Sequence, residues 1–342
     1  MKRIKVLLIA GLIMALLITG CGLSGNKSDN AGNNNVEDNK EQDNGDNNDE
    51  SDNSAEKGSE EIYAAFLNGE KSAIAGDNVN GLTKDKEYTI DDMSASFNIE
   101  AEWYVVINKL DKIQYGIIDA GNDGEPELAV KFVYTNEDKT DFAEVMVILK
   151  NYSGTIKALL RTDTYYRTAS TILTNGIVTY GGSNSAFEHS MEYRAIDKDG
   201  NVNYVCGIDS VYGLSKCIIP AGYFSTMLSG SDYPTVPELC VDSGDNGYIM
   251  QMIRTEPYDY ANYTDEDFYE YGKKSLYYIF SDNQGEVFYE ADSDYADYYK
   301  NKEIHVVPVA DAPTFLEGIF AKYGLDASSA QAPEVAWKDL EY

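Results

Sequence analysis

Tyr115-Gly-Ile-Ile-Asp119-Ala-Gly-Asn-Asp123-Gly-Glu-Pro-Glu127-Leu-Ala-Val-Lys-Phe132 reads as an apolar strand, an Asp- and Gly-rich turn, and a second apolar strand. Residues that tolerate positive φ, set between β-branched or aromatic runs, mark a chain that reverses and pairs with itself. The same signal recurs downstream. Ser153-Gly154, Asn175-Gly176, Asp199-Gly200, Asn246-Gly247 and Gln284-Gly285 each separate apolar or aromatic runs, among them Ala143 to Leu149. The expected fold is therefore a β-rich α+β domain, mainly antiparallel hairpins or a meander with a few flanking helices. A β-propeller is the alternative, although no motif recurs at the 40 to 50 residues of a blade.

Upstream of the quoted stretch, Trp103, Val105 and Ile107 begin an alternating apolar pattern, as strands do. Glu60 to Leu67 places Ile62, Ala65 and Phe66 on one face and stops at Asn68-Gly69, which predicts a packing helix. Ala312 to Tyr323 predicts a second helix, with Phe315, Ile319 and Phe320 inward and Gly324 as its stop.

The N-terminal end has a different character. Lys2, Arg3 and Lys5 precede an uncharged run from Val6 to Thr19, the order of a secretory signal. That run is shorter than the roughly 20 apolar residues a bilayer-spanning helix needs. Leu17-Ile18-Thr19-Gly20-Cys21 resembles the bacterial lipobox, in which small residues precede a cysteine that is acylated and becomes the new N-terminus. The resemblance implies removal of residues 1–20 and a lipid anchor on Cys21, holding the protein on the extracytoplasmic face of the cell membrane. Two or more acyl chains, at about 0.8 kcal/mol per buried methylene, anchor a protein stably. Residues 21–58 after it are almost entirely Asn, Asp, Gly, Ser and Glu, too polar to repay their backbone entropy by burial, and so predict a disordered tether. Such a flexible chain spans roughly 30 to 36 Å. Residues 59–342 are left as the β-rich extracytoplasmic domain, long enough to bury a sizeable core.

Charge narrows the partners. With 27 Lys and Arg against 58 Asp and Glu the net charge is −31, and no basic run could release the counterions of a phosphate backbone, which argues against nucleic acid. Anionic lipid is disfavoured for the same reason. The sequence therefore predicts a solvated acidic surface, with cation binding as the sharper alternative. Tyrosines cluster between Tyr258 and Tyr299, interleaved with Asp and Glu. A carbohydrate or protein partner at the cell surface would use such rings, and ordinary strand packing around Tyr277, Tyr278 and Ile279 is the plainer alternative.

The quoted stretch also supplies the one site candidate. It resembles the D-x-D-x-D-G-x-x-[DE]-L loop shared by calcium-binding propeller-type repeats and by many surface lipoproteins of Gram-positive bacteria, with the likeness running from Ile62 through Phe132. The resemblance implies Ca2+ ligands at Asp119 in the first position, Asp123 in the fifth, Glu125 by its carbonyl in the seventh and Glu127 in the ninth. Calcium takes six to eight oxygens, and alternate acidic residues on a tight loop converge on one point. The third position departs from the pattern, because Gly121 has no side-chain oxygen and Asn122 is the nearest substitute. The alternative is an Asx-type turn in which Asp119 and Asp123 cap backbone amides. A second acidic turn, Asp197 to Asn201, reads as a hairpin.

Catalytic patterns are sparse. His189 and His305 are the only histidines, no G-x-S-x-G elbow is present, and Gly182-Ser183-Asn184-Ser185 before His189 reads as a loop. No G-x-G-x-x-G or G-x-x-x-x-G-K-[ST] stretch occurs, so no nucleotide site is expected. Cys206, Cys217 and Cys240 lack C-x-x-C spacing and allow either one disulfide with one thiol or three thiols. The expectation is a non-enzymatic binding or interaction module. The alternative is a carbohydrate-active envelope enzyme, a glycoside hydrolase working with two carboxylates in an aromatic cleft.

Overall fold

A computed structural model describes residues 53–97, 107–183, 188–214, 216–217, 241–242, 248–257, 265–282, 303 and 305–341. The signal segment, Cys21 and the tether up to residue 52 lie outside the described residues. So do Trp103, Val105, Cys240, the turns at Asn246-Gly247 and Gln284-Gly285, and much of the tyrosine-rich segment.

The chain opens with α1 (Asn53–Leu67), β1 (Ala73–Asn78), β2 (Glu87–Tyr88) and α2 (Ile90–Ser96). α1 begins inside the stretch assigned to the tether, where Ala55, Glu56 and Lys57 are good helix formers. Its buried face is Tyr63, Phe66 and Leu67, with Ile62 beside them only partly covered. A capping box starts α2, in which Thr89 accepts from the Asp92 amide and the Asp92 carboxylate from the Thr89 amide.

A meander follows: β3 (Lys109–Ile118), β4 (Glu127–Thr135), β5 (Phe142–Tyr152), β6 (Thr155–Tyr165), β7 (Thr168–Ile172), β8 (Ile177–Ser183), β9 (Glu188–Ile196) and β10 (Val202–Leu214), each antiparallel to the one before. The short strands β11 (Lys216–Cys217) and β12 (Val241–Asp242) pair with each other. Beyond them β13 (Tyr248–Arg254) joins β10, β14 (Leu276–Asp282) follows α3 (Asp265–Ser275) and joins β13, and β15 (His305–Val306) runs parallel to β14. α4 (Ala312–Ala321) and a 3-10 turn over Ala327–Gln331 precede β16 (Lys338–Asp339), which lies on the edge of β3. Fourteen strands thus form one large, mostly antiparallel sheet, open rather than closed into a barrel.

Three of the expected turns stand where the sequence puts them. Ser153-Gly154 joins β5 to β6 with φ of 51° and 98°, Asn175-Gly176 joins β7 to β8, and Asp199-Gly200 joins β9 to β10. α4 buries Ile319 and Phe320, packs Phe315 against them, and is followed by Gly324 at φ 72°. Two features carry no turn or helix signature of the kind the sequence reading used. Tyr166, at φ 48°, turns the chain between β6 and β7, where Tyr165 pairs with Thr168. The C-terminal segment bridges two distant strands. The Thr174 amide donates to Pro333 O (2.9 Å), the Val335 amide to Ile172 O (3.0 Å) and the Leu340 amide to Ile113 O (2.9 Å).

β4 is buried on both faces throughout, which explains its near-continuous apolar run. On one face Val130, Phe132, Val145 and Val147 meet Phe66 of α1 and Met93 of α2. On the other, Ala129, Met146 and Ile148 meet Ile172 and Val178 under Val335. Farther along the sheet, Ile177, Tyr193, Val205 and Ile253 form a third core with Ile319 and Phe320 of α4. No helix among the described residues is long and apolar enough to cross a membrane.

Candidate functional site

Asp119 and Asp123 hold the turn between β3 and β4 by capping its amides. Asp119 Oδ1 accepts from the amides of Asp123 (3.0 Å) and Gly124 (3.1 Å), and Asp123 Oδ1 accepts from the Glu125 amide (2.9 Å). Glu127 is drawn away from them. It is fully buried, accepts from the Ala120 amide through Oε2 (2.7 Å), and pairs through Oε1 with the ammonium of Lys150. Burial pushes the Glu127 carboxyl above its ordinary value against the pull of Lys150 and the Ala120 amide. Burial likewise pulls the Lys150 ammonium down, but the hydrogen bond and charge of Glu127 outweigh it and leave it raised. Glu125 is exposed.

Gly121, where calcium loops carry their third ligand, has a packing reason to be glycine. Its φ is 83°, and a Cβ there would lie 2.4 Å from the backbone nitrogen of Lys198. The turn after β3 is therefore wedged against the turn after β9. Similar close approaches join neighbouring turns: a Cβ at Gly176 would meet Ala120 Cβ at 2.5 Å, and Tyr152 Oη donates to Asp199 O across Gly200. Asp197 accepts from the amides of Asp199 (3.0 Å) and Asn201 (2.8 Å), the hydrogen bonds of a hairpin. Burial pushes its carboxyl up, but the bonds from Asn201, Asn203 and Asp199 prevail and hold it below the usual carboxylate range. Among the described residues no group of three or more His, Cys, Asp or Glu side chains could hold a metal ion. Asp119 and Asp123 each turn one carboxylate oxygen to backbone amides, and Glu127 is turned to the Ala120 amide and to Lys150.

The carboxyls raised by burial, Glu127 and Asp209, each pair with a cation on another strand, the second with Arg254 at 2.8 Å. Two more carboxylates line a cleft of about 260 Å³ with Tyr180, over β6, β8 and β9. Both are ion-paired there, Asp163 with Arg161 (2.8 Å) and Glu192 with Arg194 (2.7 Å). Cys206 is a buried free thiol, pushed up to about 12 by that burial and so a weak nucleophile. His305 stacks on Tyr277 and donates from Nε2 to Lys273 O (2.6 Å).

Sequence reasoning missed the larger concavity. A groove of about 460 Å³ opens on the other face of β8 and β9, between β7 and the C-terminal segment. Gly181 and Gly182 leave part of its floor as bare backbone, and Tyr193 closes the floor with a buried ring. Arg167 and Glu334 stand on its walls with His189. The hydroxyls of Thr171 and Thr179 also line it and make no hydrogen bond to another described residue. At the rim is Tyr166, the most exposed large hydrophobic side chain among the described residues at 79 %, with the Arg167 guanidinium 5.5 Å from its ring centroid. The only sequence signal was negative: a tyrosine stands where a two-residue hairpin favours Asn or Gly.

No family model, curated protein or solved structure matches this chain.

Proposed function

We propose that this chain is a lipoprotein displayed on the extracytoplasmic face of the cell membrane through lipid on Cys21, and that its sheet domain is a binding module whose ligand enters the groove over β7, β8 and β9. The groove carries the binding part of the proposal. Its 460 Å³ lies within the roughly 300 to 1,000 Å³ of small-molecule sites, and it joins apolar surface to a few convergent polar groups. The Leu17-to-Cys21 stretch and the polar segment behind it support the address. Calcium forms no part of this proposal, because the loop that resembles a calcium site uses its carboxylates on its own backbone and on Lys150.

Cell fractionation tests the address. The parent chain is expected in the membrane pellet, labelled by exogenous palmitate, and Cys21→Ala in the soluble exported fraction without label. A Cys21→Ala chain that still pelleted with membranes would overturn the anchor. A thermal-shift screen of small polar ligands tests the module. The expected result is a ligand whose stabilisation is lost when Thr179→Phe fills the groove, and stabilisation indifferent to that change would move the site elsewhere.

A further inference from the structure

Tyr166 occupies a conformation its side chain opposes. Left-handed backbone crowds the Cβ against the following carbonyl, and a bulky residue there is a genuine outlier. In the counterpart turn, Ser153-Gly154, the same first position at φ 51° is held by a small serine rather than a bulky ring. Burial does not compensate, since the Tyr166 ring is 79 % exposed. Strain kept for so little packing, the Tyr165 ring at 6.3 Å and the Arg167 guanidinium at 5.5 Å, points to a use of the side chain, and this one stands on the rim of the larger of the two clefts described above.

We propose, building on the groove as the binding site, that it takes a neutral saccharide, with the Tyr166 ring as the platform for one sugar face. A pyranose offers an apolar C–H face and a rim of hydroxyls that donate and accept. The groove offers the matching set: an exposed ring, hydroxyls at Thr171 and Thr179, a donor in Arg167 and an acceptor in Glu334. Tyrosine suits the task because its flat, amphipathic ring loses little entropy on contact. Two other ligand classes fit less well. A polyanion would meet Glu334 and a chain of net charge −31. An extended peptide binding by strand addition needs an open edge; β8 and β9 are paired along both sides, and β7, which pairs along β8 and meets β6 only at Tyr165 and Thr168, offers a short edge that the peptide probe tests.

The test is calorimetric titration of the whole chain in detergent with chitotriose, cellotriose and maltotriose, and with trialanine as the peptide probe. At least one trisaccharide is expected to bind. Tyr166→Asn, which suits positive φ, should weaken that binding about tenfold or more while raising Tm, and Tyr166→Phe should retain it. A saccharide that binds Tyr166→Asn as tightly as the parent would overturn the platform. Trialanine binding without any trisaccharide binding would overturn the saccharide class and leave the groove standing as a site. Silence from all four probes would overturn both.

Discussion

The two ends of β7 and β8 carry polar side chains with opposite fates. At the end where the β3–β4 turn meets the turns after β7 and β9, Asp119, Asp123 and Asp197 cap amides of their own turns, and Glu127 is locked to Lys150. At the groove, the hydroxyls of Thr171 and Thr179 have no described partner, and Tyr166 holds strain with its ring in solvent. The first region is dense in acidic residues along the sequence and closed in space. The second is scattered along the sequence and open in space. Groups left over after the fold has used its own mark a site better than groups that are merely numerous.

The strongest way to break this contrast is at Glu127. Removing one partner of a buried ion pair leaves the other charge uncompensated, so Glu127→Ala is expected to lose about 3–5 kcal/mol in denaturant unfolding. The double variant Glu127→Leu with Lys150→Met should recover much of it. A loss under about 1 kcal/mol, the worth of a surface pair, would show that the pair is not buried as described. Next comes Gly121→Ala, which adds a Cβ at positive φ and 2.4 Å from Lys198 N. It is expected to cost roughly 2–3 kcal/mol by the same measurement, whether or not calcium is present.

At the groove the sign reverses. Tyr166→Asn is expected to stabilise the domain by about 1 kcal/mol, read as a rise in Tm, because it removes the left-handed strain. A fall would mean that the ring packs usefully where it stands. The smallest effect is at Asp197. Its carboxyl lies below 3.8 in the folded state, so its contribution is present above the unfolded value and is lost as pH falls through the lower folded one. The Tm gap between the parent and Asp197→Asn should therefore hold at neutral pH and close below pH 3.8. A gap unchanged at pH 2.5 would show that the Asp197 charge does not matter to the hairpin.

The part of the fold that local chemistry fixes could be read in advance. Asn-Gly, Asp-Gly and Ser-Gly dipeptides have few other uses between apolar runs, and Phe315, Ile319 and Phe320 share a helix face by their spacing alone. Tyr63 is buried on α1 beside the Ile62, Ala65 and Phe66 stripe because distant groups satisfy its hydroxyl, which accepts from the Asn151 amide (2.9 Å) and donates to Pro126 O (3.0 Å). α3 was hidden inside the tyrosine-rich segment, although its acidic start at Asp265 and its Lys273 and Lys274 suit the helix dipole. What the sequence withheld depends on distant partners. The path of Pro333 to Leu340 is set by Ile172, Thr174 and Ile113, more than 150 residues earlier. The groove takes its walls from β7, β8, β9 and that same segment. The calcium-like loop was legible as a motif, but the wedge of Gly121 against Lys198 that explains its missing ligand exists only in three dimensions.

Amide hydrogen exchange on the whole chain, with calcium and chitotriose added in separate arms, compares the two regions in one measurement. The prediction is that calcium leaves residues 119–127 unchanged, while the saccharide slows exchange in β7, β8 and β9. Calcium-dependent protection of residues 119–127, with the groove strands indifferent to chitotriose, would contradict the account and return the site to the acidic loop.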